Sequence, residues 1–224
     1  MKALIMAGGR GTRLGNFTDQ VPKPMLPIGG RPLLAITVER LRQAGISDIT
    51  VSLHYRPEFI KQHFGDSVKY LEEPEPMGSG GCLQLMAKPA EPLLVINGDV
   101  LTDLRFEPMR EFHEDQAADC TMAVGAYHVQ LPYAIVMTEG PTIQELAEKP
   151  NFTFPVNAGI YILDPSVWVW LPKEKRPFGM GELVQQLINL RERVCAYPMP
   201  PETIWVDIGT PESYAVGEAI WPKS

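Results

Sequence analysis

Short, wholly apolar runs alternate along the chain with longer stretches whose apolar positions recur every three or four residues. Residues 2–6 (KALIM) are such a run and lead into a glycine-rich loop; residues 32–45 (PLLAITVERLRQAG) have helical spacing, with proline at the start and glycine at the end. The same reading predicts strands at 48–53, 68–73 and 92–99, and helices at 57–65 and 79–88, the second entered through glycines. Three strand–helix alternations in a row predict an α/β fold with a doubly wound, Rossmann-like sheet covered on both faces. Beyond a helix at 106–116 the pattern changes: strands are predicted at 120–129, 133–137, 142–149 and 156–163 with little helix between them. A mixed extension of a mostly parallel sheet follows from that. Helices at 181–193 and 211–220 close the chain, separated by strands at 194–199 and 203–208.

With 224 residues and no repeat, low-complexity run or long linker, the chain is expected to form one domain, 1–224. Its 45% hydrophobic and 21% charged residues are ordinary for a globular protein and exclude wholesale disorder. The formal net charge of -7 argues against binding nucleic acid by counterion release and against attraction to anionic membrane surfaces. Cys82, Cys120 and Cys195 are an odd set without CxxC spacing, read as reduced thiols. The few apolar residues before the first glycines are too short for a signal peptide or membrane span, so a soluble, cytoplasmic protein is expected. His54, His63, His113 and His128 share no ligand-like spacing and read as surface or loop residues, and Trp168 and Trp170 read as packing residues.

On this acidic body one loop gathers cations. Residues 6–26 read MAGGRGTRLGNFTDQVPKPML, directly after the first predicted strand. The loop lacks the GK[ST] of a Walker A sequence, and Leu14 falls where GxGxxG needs its last glycine. Its physics is nonetheless that of a polyphosphate cradle. Backbone N–H groups of Gly8, Gly9 and Gly11 can close on phosphate oxygens, and the Arg13 fork can grip two at once. Pro22 and Pro24 stiffen the backbone that aims Lys23. The NGD of residues 97–99 ends another strand, so both features fall at the carboxyl rim of the sheet, where ligands of open α/β sheets collect.

GGRGTRL followed by PKPM resembles the signature of the sugar-1-phosphate nucleotidyltransferases, the nucleotide-sugar pyrophosphorylases. The likeness continues in order through PMGSGG (76–81), NGD (97–99), EKP (148–150), NAGIY (157–161) and WVDIGTP (205–211). It implies transfer of a nucleoside monophosphate from a triphosphate to a sugar 1-phosphate, with release of pyrophosphate. Carried over by motif, Ala7, Gly8, Gly9, Gly11, Thr12, Glu73, Gly78, Ser79 and Asn97 hold the nucleotide. Arg13 stabilises the leaving pyrophosphate, Lys23 binds phosphate at the reacting centre, and Asp99 joins them as a catalytic residue. Asp99 and Asp207 match the family's Mg²⁺ carboxylates; Glu148, Lys149, Asn157 and Gly159 match contacts to the sugar phosphate. A nucleotide half is expected at about 1–115 and a sugar-phosphate half at about 116–224. The resemblance also implies a possible homodimer. Some relatives carry regulatory domains ahead of the catalytic one, which here would lie outside the chain, and no room remains for an appended acyltransferase domain.

The chemistry agrees. A phosphate monoester with a second pKa of about 6 is already largely dianionic near neutral pH, so the acceptor needs no general base. Two aspartates on separate strand ends suit a hydrated Mg²⁺, although Asp207, shortly before an expected helix at 211, is also placed to cap it. The base is addressed by EEPEPMGSGG (72–81). Pyrimidine-using relatives commonly have glutamine ahead of the proline here, whereas this chain has Glu73 and Glu75. A carboxylate only accepts, and guanine offers adjacent N1–H and N2–H donors, which favours GTP. LHYRPEFIKQHFGD (53–66) and PFGMGELVQQLI likewise resemble the GDP-sugar-forming members, the mannose-1-phosphate guanylyltransferases and the GDP-amino-sugar or heptose pyrophosphorylases. The alternatives are the same reaction with UTP, dTTP or CTP, and a silent nucleotide-sugar-binding subunit. The sugar is expected to be chosen by loops at 127–133 and 150–157.

Overall fold

The computed structural model describes residues 1–18 and 20–222, the side chain of Asn16 aside. Its first half follows the predicted alternation: β1 (Lys2–Met6), α1 (Leu33–Gln43), β2 (Ile49–Leu53), α2 (Pro57–Phe64), β3 (Lys69–Glu72) and β4 (Leu93–Asn97). α1 buries Leu33, Leu34, Ile36, Val38 and Leu41 along one face. It stops where Gly45, at φ 75°, takes the left-handed turn that lets Ile46 N–H return to the Leu41 carbonyl at 2.9 Å. The next segments are β5 (Val100–Thr102), α3 (Phe106–Asp115), β6 (Cys120–Gln130), β7 (Ile135–Glu139), β8 (Thr142–Ala147) and β9 (Asn151–Leu163). The chain closes with α4 (Met180–Asn189), β10 (Val194–Pro198), β11 (Trp205–Asp207) and α5 (Pro211–Ile220).

Seven strands form one sheet in the order β10-β6-β9-β4-β1-β2-β3. β9 is antiparallel to both of its neighbours and every other adjacent pair is parallel. The chain winds outward from β1 to β2 and β3, then returns to place β4 on the other side of β1. This reversal is a topological switch point, so the loops leaving β1 and β4 diverge and open a crevice at their carboxyl ends. Both faces are covered. Leu34, Val38 and Leu41 of α1, Ile60 of α2, and Phe106 and Met109 of α3 pack on one face. Leu183, Val184 and Leu187 of α4 pack on the other with Val167, Cys82 and Leu83.

Two departures from the sequence reading matter. The helix expected at 79–88 is a helical turn, Gly78–Gly81, continued by a 3-10 turn, Cys82–Leu85, and Met86 is already extended. Its glycines are poor helix formers, and they serve packing instead. A Cβ on Gly78 would stand 2.5 Å from the Phe178 carbonyl, and one on Gly80 2.4 Å from the Phe178 ring. The expected loops at 127–133 and 150–157 are largely strand: β6 and β9 stay paired out to Gln130 and Asn151, forming a ribbon whose tip continues into the β7–β8 hairpin.

Candidate active site

Gly8 and Gly9 follow β1, Glu73 and Pro76, Met77, Gly78 and Ser79 follow β3, Asn97 ends β4 and Asp99 comes just after it. Together with Met6 they line a cavity of about 260 Å³ at the switch point. A smaller hollow of about 50 Å³ adjoins it, walled by Ala7, Gly9, Lys23, Pro24, Gly98 and Asp99. Gly11, at φ 67°, carries the loop tightly over the lysine: a Cβ there would stand 3.0 Å from Lys23 Cβ. Lys23 is almost fully buried and its Nζ lies 2.6 Å from Asp99 Oδ2 and 4.0 Å from Asp207 Oδ1.

A two-stranded ladder of β5 and β11 brings the aspartates together. Val100 pairs with Asp207, and the Ile208 N–H donates to the Asp99 carbonyl at 2.9 Å. Ile28, Leu33, Ile36, Leu101 and Ile208 bury this ladder against α1. Asp207 caps nothing: Thr210 is the N-cap of α5, in a reciprocal capping box with Ser213. The Asp207 side chain is half exposed, and partial desolvation, then the charge of Asp99, raise its pKa from the ordinary value against the pull of Lys23 and Arg13. Arg13 stands beside it. A Cβ on Gly209 would meet the Arg13 guanidinium at 3.2 Å and Asp207 Oδ1 at 3.0 Å.

The carboxylate pair fits a hard divalent cation. Asp99 Oδ1 is buried with no hydrogen-bond partner among the described residues, an acceptor that normally demands one. Those residues contain no cluster of three or more His, Cys, Asp or Glu. Two carboxylates with room for water and phosphate oxygens are the donor set Mg²⁺ favours over an all-protein cage.

At the other end of the cavity Glu73 is half-buried, its carboxylate held by the Ser52 hydroxyl and, at 3.2 Å, by the Met77 N–H. Glu75 is exposed and lines neither cavity. Asn97 Oδ1 is a buried acceptor without a partner among the described residues, and its Nδ2 abuts Gly159, where φ is 72° and a Cβ would stand 2.6 Å away. Ser79 lines the cavity, but its Oγ accepts from the Met180 N–H at 3.0 Å, the start of α4. Thr12 is exposed at the head of a 3-10 turn.

The sugar-side residues are more dispersed. Asn157 is exposed, with Oδ1 accepting from the Gly159 N–H at 2.9 Å and Nδ2 donating to the Tyr161 hydroxyl at 2.6 Å, across the bulge in β9. Glu148 and Lys149 are exposed between β8 and β9, and Lys149 holds φ 42°, a left-handed conformation lysine rarely adopts. Sequence reasoning did not find Ser52, Phe178 or the approach of Arg13 to Asp207. Ser52 offered one signal, as the polar residue of an otherwise apolar VSL run.

A crevice at a switch point, with cations and two carboxylates at one end and a fixed acceptor at the other, defines a nucleotide-handling α/β protein. The sequence profile of the family described as "Nucleotidyl transferase" matches residues 2–220, and the chain belongs to that family. It is 32% identical over 239 residues to the mannose-1-phosphate guanyltransferase of Yarrowia lipolytica, covering 100% of this chain and 65% of that protein. Identity is also 32% over 241 residues to the enzyme of that name from Schizosaccharomyces pombe, with the same coverage. The chain thus spans slightly under two thirds of these relatives' length. Among solved structures, HddC from Yersinia pseudotuberculosis complexed with GMP-PN superposes with a TM-score of 0.73 at 26% identity, over 97% of this chain and 98% of that one. A putative glucose-1-phosphate thymidylyltransferase from Bacillus anthracis shares the fold, with a TM-score of 0.77 at 24% identity, over 98% of this chain and 94% of its own. No helix among the described residues is long and apolar enough to cross a membrane.

Proposed function

We propose that this chain transfers GMP from GTP to a sugar 1-phosphate, giving a GDP-sugar and pyrophosphate, with Mg²⁺ as its metal. The observation that carries the reading is that Glu73 and Asp99 line one cavity, and Asp99 joins it to Lys23 in the adjoining hollow, with Asp207 and Arg13 beside that pair. The guanyltransferase relatives and the GMP-PN complex of HddC support the choice of guanine.

In this reading a phosphate oxygen of the acceptor attacks the α-phosphorus of GTP, and the bond from that phosphorus to the bridging β-oxygen breaks in line. The departing pair leaves with pyrophosphate, and no proton has to be removed from the dianionic acceptor. Lys23 binds oxygens of the α-phosphate and Arg13 those of the leaving pyrophosphate. Gly8, Gly9 and Gly11, with Thr12, offer backbone N–H groups to the triphosphate, while Ala7, whose N–H donates to the Ser52 carbonyl at 3.1 Å, walls the hollow beside it. Asp99 and Asp207 would hold Mg²⁺, which neutralises phosphate charge when bound. Asn97 Oδ1 is placed to accept from a ribose hydroxyl, and Gly78 and Ser79 close the cavity wall. Lys149 meets the acceptor phosphate, while Glu148, Asn157 and Gly159 form the sugar side. The strained backbone of Lys149 supports that role, since such strain concentrates at functional positions.

A homodimer is part of the proposal, with a second copy covering the ribbon and its hairpin. Eight large apolar side chains between Tyr127 and Phe154 are exposed, and Tyr127, Phe152 and Phe154 share one face by their register.

Pyrophosphate release measured with Mg²⁺ across the four nucleoside triphosphates and a panel of sugar 1-phosphates tests the reaction. GTP is expected to support turnover at least tenfold faster than UTP, dTTP or CTP. Equal or greater turnover with a pyrimidine nucleotide would replace the guanylyl reading.

A further inference from the structure

Beneath the cavity, β2 contributes a hydroxyl to an otherwise apolar sheet interior. Ser52 is fully buried, flanked by Met6 of β1 and Leu71 of β3. A buried hydroxyl needs a partner, and this one finds it in a residue of the cavity wall: it donates to Glu73 Oε1. The Met77 N–H donates to Oε2 at 3.2 Å. Gly8 leaves room for the carboxylate, since a Cβ there would stand 3.0 Å from Oε1. Cys82, buried beside the same hydroxyl, is pushed up to about 12 by burial and by the charge of Glu73. Cys82 therefore stays a thiol.

Each carboxylate oxygen offers two acceptor positions. Ser52 and Met77 occupy one on each oxygen, leaving one on each for a ligand in the cavity. Without the Ser52 bond, Glu73 is tethered through one oxygen alone, and its long side chain regains rotational freedom. We propose that Ser52 is a positioning residue for base selection, holding the Glu73 carboxylate so that it presents two adjacent acceptors to N1–H and the 2-amino group of guanine. The inference rests on the GTP reading above and assigns its selectivity to a residue that never touches the base.

Inosine triphosphate, which lacks only the 2-amino group, is the probe. Titration calorimetry of the full chain with GTP and with ITP, in Mg²⁺, is expected to give at least tenfold tighter binding of GTP, as sites that pair a donor reject the analogue lacking it. Ser52→Ala should bring the ratio below about threefold, chiefly through weaker GTP binding, and Ser52→Thr, which keeps the hydroxyl, should retain most of it. A folded Ser52→Ala protein that keeps the wild-type ratio, or loses affinity for both nucleotides equally, would overturn the inference. Should thermal melts show Ser52→Ala unfolded, Ser52→Cys, close in volume and only a weak donor, carries the same expectation and the same contrary result. Wild-type protein that binds GTP and ITP alike would also overturn the inference, whereas the GTP reading itself falls only if the nucleotide panel above favours a pyrimidine nucleotide.

Discussion

Lys23 Nζ lies 2.6 Å from one oxygen of Asp99, while the other oxygen of that carboxylate is buried without a hydrogen-bond partner among the described residues. The pair therefore joins the cation proposed for the α-phosphate to a carboxylate proposed for the metal. Replacing Lys23 by methionine removes a charge at the reacting phosphorus, and we expect kcat to fall about 10²–10³-fold. Asp99 also loses its partner next to a buried site. Its side chain retains a quarter of its exposure, so the stability cost is expected near 1–2 kcal/mol, below that of a fully buried pair. Turnover and a thermal melt on one preparation measure both; a global unfolding would make the lysine a structural residue.

Glu73 and Glu75 are separated by the fold, one anchored in the cavity wall and the other exposed. Glu73→Gln exchanges one acceptor for a donor that opposes guanine's own donors, and the preference for GTP over the pyrimidine nucleotides should drop by at least tenfold. Glu75→Gln should leave that preference within twofold. A nucleotide panel on the two variants decides it, and equal effects would remove Glu73 from base recognition.

Gly159→Ala meets two obstacles, a φ of 72° and a contact of 2.6 Å with Asn97 Nδ2. Left-handed backbone costs about 1 kcal/mol or more for a non-glycine residue, so the melting temperature should fall by about 2–8 °C. Displaced Asn97 should raise KM for GTP more than it lowers kcat. An unchanged melt and KM would mean that the bulge relaxes freely.

His113, expected at the surface, is instead buried on the inner side of α3, with Nδ1 2.8 Å from Thr121 Oγ1, and burial holds its pKa below 6.5 against the nearby charges of Asp164, Glu114 and Asp119. Since the folded value is the lower one, the fold accepts the neutral ring. The stability it contributes is complete above 6.5 and is lost as pH falls through the folded value. Melts between about pH 7.5 and about pH 5 should decline more steeply for wild type than for His113→Gln. Parallel declines would contradict the assignment.

The cradle was legible because backbone logic fixes it: an apolar strand, glycines, and cations on proline-stiffened chain. The strand–helix alternation likewise put Gly8, Gly9 and Asp99 on one rim before any coordinates. What escaped depends on pairings distant in sequence. Nothing local in VDIG places Asp207 beside Asp99; the antiparallel ladder of β5 and β11 does. The stretch PMGSGG reads as addressing the base, yet Gly78 and Gly80 make room for Phe178, far along the chain. Ser52 showed only as a polar residue in an apolar strand, a signal without a role until its partner Glu73 is known.

The most direct test of the account is a crystal structure of the protein soaked with GTP and Mg²⁺. It should show guanine N1 and N2 on the two oxygens of Glu73, the α-phosphate on Lys23, and the metal on Asp99 and Asp207. A nucleotide bound with its base away from Glu73, or a metal bound away from both aspartates, would contradict it.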